Sequence, residues 1–167
     1  MSRAVRNAVT VLLLTLVTLG AAAATKDRLV DFTGTWKLNM KKSRGAPDWR
    51  PDTVLVVLQS PYQIHFTYFL NGDARQPFEN HDYVTNGKEA PLYTSATELT
   101  YYSVRWNNKN VLQVKVHHVV RHEIADTDWS ETDIWTLSDD GKTLTNRLSD
   151  GKLIVYDRAE KEKSQQY

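Results

Sequence analysis

The residues best suited to chemistry in this 167-residue chain are polar side chains gathered late in the sequence: Arg105, His118, His122, Glu131 and Asp133. An imidazole beside a carboxylate in an apolar setting can move a proton or orient a bound molecule, because desolvation and mutual charge shift both groups. Their spacing decides whether they meet. With Asn108-Lys109 as the centre of a two-residue hairpin turn, Arg105 faces Leu112, Ser103 faces Val114, Tyr101 faces Val116 and Leu99 faces His118. With Asp126-Thr127 at the next turn, His122 faces Glu131, Val120 faces Asp133 and His118 faces Trp135. The face carrying these residues is the more apolar one, so it is read as the interior. A one-residue change in either loop flips a strand's face and turns the side chains it carries outward.

Other chemistries find little support. The chain has no cysteine, which removes thiol catalysis and disulfides. It carries no Gly-x-Ser-x-Gly elbow and no glycine-rich phosphate loop. His117 and His118 point to opposite faces of one strand, and His118 and His122, four residues apart, are separated by about 13 Å. No metal site and no cofactor is therefore expected. Asp139-Asp140-Gly141 and Asp150-Gly151 read as turns, since neither has the alternating acids of a calcium loop. Three readings of the inner-face cluster stay open: the polar end of a ligand cavity, an acid–base pair of a hydrolase or isomerase, and a charged network in a non-catalytic envelope scaffold or interaction module.

Arg3 and Arg6 precede an apolar run from Ala8 to Leu19, and Ala21 to Ala24 follow it. This is the pattern of a cleaved signal peptide over 1–24, giving an exported, periplasmic or secreted protein without a lipid-anchoring cysteine. The membrane is then met only through the uncleaved segment. Without Arg3 and Arg6 the chain has 19 basic against 20 acidic residues, and no basic stripe to suit nucleic acid. Oligomeric state is not readable.

The elements that must position the cluster are strands. Thr33 to Asn39 is the first, followed by a long turn-rich connection from Met40 to Pro51 that holds Trp49 between prolines. Thr53 to Gln59 and Tyr62 to Leu70 form a hairpin, with Ile64, Phe66 and Tyr68 on one face, and Asn71-Gly72-Asp73 ends it. A less regular stretch contains a short strand over Asp82 to Thr85. Thr97 to Trp106, Val111 to Glu123, Trp129 to Leu137, Thr143 to Leu148 and Leu153 to Arg158 complete a meander with short connections. No helix is expected. The fold class is all-β: an antiparallel up-and-down barrel of eight to ten strands over 25–158, with a polar tail over 159–167.

Gly34-Thr35-Trp36-Lys37-Leu38-Asn39, followed by Lys42-Ser43, and Thr136-Leu137-Ser138-Asp139-Asp140-Gly141-Lys142-Thr143-Leu144 resemble the lipocalin-like family, and most nearly its small exported bacterial members. The resemblance implies a barrel around a ligand cavity, with Trp36 plugging the closed end under a late arginine, Arg158 or Arg147. The C-terminal helix usual in the family is absent. The expected function is binding of a small, partly hydrophobic molecule by Tyr68, Tyr101, Arg105, His118, His122, Glu131, Asp133 and Trp135.

Overall fold

The computed structural model describes residues 29–46, 52–70 and 76–159. The expected signal peptide, Trp49, the Asn71-Gly72-Asp73 turn and the tail beyond residue 159 lie outside the described residues. Ten strands follow in chain order: β1 Gly34–Leu38, β2 Val54–Gln59, β3 Gln63–Phe69, β4 Pro77–Val84, β5 Ala90–Thr94, β6 Glu98–Asn108, β7 Val111–Val120, β8 Thr127–Leu137, β9 Thr143–Arg147 and β10 Leu153–Arg158. They form one antiparallel sheet in the order β4-β3-β2-β1-β10-β9-β8-β7-β6-β5. Each strand pairs with its chain neighbours except between β4 and β5, and β1 also pairs with β10, so the meander curls into the expected up-and-down barrel. No helix occurs among the described residues.

Local chemistry explains the regular half. In the β8–β9 and β9–β10 connections, Gly141 (φ 68°) and Gly151 (φ 86°) take positive φ, which lets each turn close in a few residues. Backbone bonds from Gly141 N–H to Ser138 O (2.8 Å) and from Gly151 N–H to Leu148 O (3.0 Å) seal them. The first strand of the irregular stretch is longer than expected. β4 spans eight residues, and its inner positions Glu79, His81 and Tyr83 lack the apolar alternation that marks a core-facing strand. The ladder is missing only between β4 and β5, the two sheet edges. There Gly87 N–H donates to Val104 O of β6 at 2.8 Å, and the Tyr83 and Tyr102 rings meet at 5.0 Å.

One end of the barrel is solid. Phe32, Trp36, Leu55, Val57, Ile64, Val104, Leu112 and Leu144 are fully or almost fully buried there. The residues before β1 cross the barrel end and cap it, with Val30 N–H donating to Lys109 O at 2.8 Å. Phe32 packs edge-on to Trp106, with ring centroids 5.2 Å apart. The Gln59 side-chain amide brackets the segment, accepting from Phe32 N–H at 3.0 Å and donating to Val30 O at 2.9 Å. Trp36 Nε1–H donates to Phe32 O at 3.0 Å, so the one polar atom of a fully buried indole is satisfied.

Arg158, and not Arg147, lies over that indole. Its Cζ is 4.1 Å from the ring centroid of Trp36, its Nη1 donates to Thr33 O at 3.0 Å, and its Nε donates to Gly141 O at 2.7 Å. Gly34 makes the approach possible, since a Cβ there would sit 2.6 Å from Arg158 Nη1. Trp36 and Arg158 are direct partners in the β1–β10 ladder, so the stack pins the register of the closing seam.

Arg158→Ala should lower stability by about 2–3 kcal/mol in urea unfolding, from the lost cation–π contact and two carbonyls left without their charged donor. Arg158→Lys should recover little of it, because an ammonium cannot stack and reach both carbonyls together. Full recovery by lysine would show that charge alone matters at the seam.

Candidate functional site

Beyond the solid end the barrel is hollow, with a cavity of about 580 Å³. Its floor is aromatic. Phe66 and Trp135 stack with centroids 4.7 Å apart, and Trp135 continues to Tyr156 at 6.2 Å. These rings come from β3, β8 and β10, whose inner faces are set by strand alternation and the paired registers. Val114, Val116, Leu148 and Ile154 add aliphatic wall.

Two stretches of wall are polar. On β4, His81 Nε2 and Glu79 Oε1 are 2.8 Å apart, and the imidazole stacks on Tyr83 (5.6 Å, 6°) and meets Tyr68 edge-on at 5.9 Å. On β8 and β9, the Asn146 side chain and the Ser149 backbone lie near Asp133 and favour its ionised form. Asn146 is paired with Trp135 and only 7 % exposed, and its Oδ1 has no hydrogen-bond partner. Lys152 also lines the cavity, with its ammonium 2.6 Å from Asp150 Oδ2.

Burial governs how these groups ionise. It raises the Asp133 carboxyl, against the lowering effect of these two groups. Burial likewise raises Tyr68 and Tyr83, and the negative charges of Glu79 and Asp133 add to both. Tyr156 is raised by burial and then by Glu79. All three phenols therefore stay protonated, as neutral hydrogen-bonding groups facing an apolar space.

The expected site residues divide. Tyr68, Asp133 and Trp135 line the cavity. His118 is on the inner face but two residues nearer the mouth than Val116, with its Nδ1 3.3 Å from Thr100 Oγ1 and its ring stacked on Trp129 at 4.8 Å. Glu131 is exposed and faces Val116. Tyr101 and Arg105 belong to the outer face. Tyr101 packs near His117 at 5.9 Å, and Arg105 donates to Gln113 Oε1 at 3.2 Å.

The cause is a bulge between Trp106 and Asn108, which shifts the β6–β7 register by one residue so that Thr100 faces His118 and Tyr102 faces Val116. The expected His122–Glu131 pair is also absent. β7 ends at Val120 and β8 begins at Thr127, so His122 sits exposed in the connecting loop. The His–carboxylate pair that does reach the cavity is His81 with Glu79. Among the described residues no group of three acidic, histidine or cysteine side chains converges as metal ligands.

Glu79, His81, Tyr83, Asn146 and Tyr156 are the lining residues that sequence reasoning missed. One signal was available. Leu144, Asn146 and Leu148 share a strand face, and an asparagine between two leucines on an inner face marks a buried polar position.

No protein-family model and no curated protein matches the chain. Several solved structures are similar to it at low identity. The fluorescent protein UnaG matches with 18 % identity over 77 % of this chain and 97 % of its own, at a TM-score of 0.45. The REP1-NXSQ fatty acid transporter matches with 12 % identity over 79 % of this chain and 98 % of its own, at 0.49. A Schistosoma mansoni fatty acid binding protein in complex with arachidonic acid matches with 15 % identity over 77 % of this chain and 96 % of its own, at 0.44.

Two pH effects follow from these environments. Burial holds the folded pKa of Asp133 above its unfolded value, so ionising it costs stability, and the cost grows as pH rises through the folded pKa. Asp133→Asn should therefore be more stable than the native chain at neutral pH, with the difference closing as pH falls below the ordinary carboxylate range. On the outer face, His117 lies between Asp128 and Glu89, each 3.0 Å from a ring nitrogen, and its pKa is raised by Asp128 first and Glu89 second. The stability it contributes is complete below the ordinary imidazole pKa and is lost as pH rises through the raised folded value. Melting curves of His117→Gln should diverge from the native chain most in mild acid and least in alkali.

Proposed function

We propose that this chain is an exported binding protein whose barrel holds one small, partly apolar molecule. The observation that carries the reading is the cavity of about 580 Å³ over the Phe66–Trp135 floor. Its size lies inside the range of roughly 300–1,000 Å³ usual for small-molecule sites, and its make-up, apolar wall with a few placed polar groups, is the usual one. Affinity comes from apolar surface taken out of water, and orientation from the two polar walls. Tyr68, Asp133 and Trp135 are the residues of the original expectation that serve this role, joined by His81, Tyr83, Asn146 and Tyr156. Export rests on the basic, apolar and small-residue pattern of residues 1–24.

The neutral dye N-phenyl-1-naphthylamine should brighten on adding the protein, saturate a single site and quench Trp135. Val116→Trp, which fills the cavity from β7, should abolish the signal while keeping the native melting transition. A dye signal that survives in Val116→Trp places the dye elsewhere and contradicts the reading.

A further inference from the structure

The barrel is least secured where its ladder stops. β5 is an edge strand paired with β6 alone, and a bulge between Pro91 and Tyr93 interrupts that pairing. Pro91 brings no N–H of its own to the ladder. Four of the five β5 residues are exposed, and Leu92 lines the cavity while remaining 45 % exposed. A strand with so little buried surface opens more readily than the core strands, and its loosening parts the wall between β4 and β5 beside Leu92.

Two contacts tie the end of the β4–β5 connection to the strands beyond this gap. Gly87 N–H donates to Val104 O, and Glu89, the residue before β5, meets His117 on the outer face of β7. His117 is held from both sides, with Nδ1 3.0 Å from Glu89 Oε1 and Nε2 3.0 Å from Asp128 Oδ1 of β8. A neutral imidazole carries one N–H, so it bonds one of these carboxylates and turns a lone pair toward the other. The imidazolium donates to both. The neighbouring elements supply no substitute for that charge at this point. On this face β6 presents the Tyr101 ring at 5.9 Å, β8 presents Ser130 opposite His117, and Arg105 of β6 is engaged by Gln113. Lys115 lies two residues along β7, and Lys88 adjoins Glu89 in the chain.

We propose that the Glu89–His117–Asp128 bridge is a pH-sensitive latch on β5, fastened in mild acid and slack in alkali, that sets how fast the cavity exchanges its ligand. The exchange clause rests on the ligand-binding reading above. The bridge is complete below the ordinary imidazole pKa and is lost as pH rises through the folded value, which Asp128 and then Glu89 raise.

The test is the exchange rate of N-phenyl-1-naphthylamine, followed by stopped flow at about pH 5.5 and about pH 9, on either side of the imidazole range. His117→Gln keeps a polar side chain there without a titrating charge. At the lower pH it should bind and release the dye roughly twofold to fivefold faster than the native chain, the scale of an exposed ion pair. At the higher pH the two rates should coincide. Groups inside the cavity, His81 and Asp133 among them, are common to both proteins and cancel in the ratio. Association and dissociation should rise together and leave Kd unchanged, as a latch requires and an altered cavity would not give. Glu89→Gln, which cuts the bridge on the β5 side, should reproduce the pattern. Native rates at both pH values, a ratio that does not change with pH, or a changed Kd overturns the latch and leaves the binding cavity standing. Should the dye not bind, the binding reading falls, and amide hydrogen exchange across Ala90–Thr94 decides the latch. Lower protection in His117→Gln than in the native chain in mild acid supports it, and equal protection overturns it.

Discussion

The stack of Arg158 on Trp36 is the interaction on which the rest of this barrel depends. A ten-strand meander has two free ends of chain, and closing it requires that β1 find β10 in one register. The guanidinium does this with three contacts at once: the indole face, Thr33 O at the entry to β1, and Gly141 O in the β8–β9 turn. Each contact lies on a different part of the chain, so a slip of one residue along the seam would lose them together. The only residue that permits the approach is the glycine two positions before the tryptophan.

That seam sets where the interior is solid and where it is empty. Trp36, with Phe32 and the capping segment, fills the barrel end, and the fully buried side chains cluster around it. Above the Phe66–Trp135 layer the inward side chains become tyrosines, histidine and acids, which do not close over one another. A barrel of this strand number can be filled or hollow, and here the filling stops at an aromatic floor. The polar groups above it are costly in an apolar space, which is visible in the raised carboxyl of Asp133 and the unpartnered oxygen of Asn146. Structure alone gains nothing from such groups, whereas a binding site uses them for orientation.

The fold was largely legible because it rests on local signals: alternation in β6 to β10, turn residues at Asp-Gly steps, and the Gly34-Thr35-Trp36 start. The site was legible only in part, for two physical reasons. Face assignment is a parity question, and the single bulged residue at Trp106/Asn108 sent Tyr101 and Arg105 outward while leaving His118, Asp133 and Trp135 inside. Inner-face polarity is the second reason. Glu79 and His81 line the cavity because it is a cavity, and their polarity hid β4 from a search for apolar alternation. The strand that looked least regular carries one of the two polar walls.

The barrel is solid at Trp36 and hollow at Trp135, and the indole N–H signals of the two residues in a ¹⁵N-resolved NMR titration test this most directly. Adding a neutral apolar ligand such as 1-decanol should move the Trp135 signal in a saturable way and leave the Trp36 signal in place. A shift at Trp36 with none at Trp135, or no saturable shift at either, would contradict it.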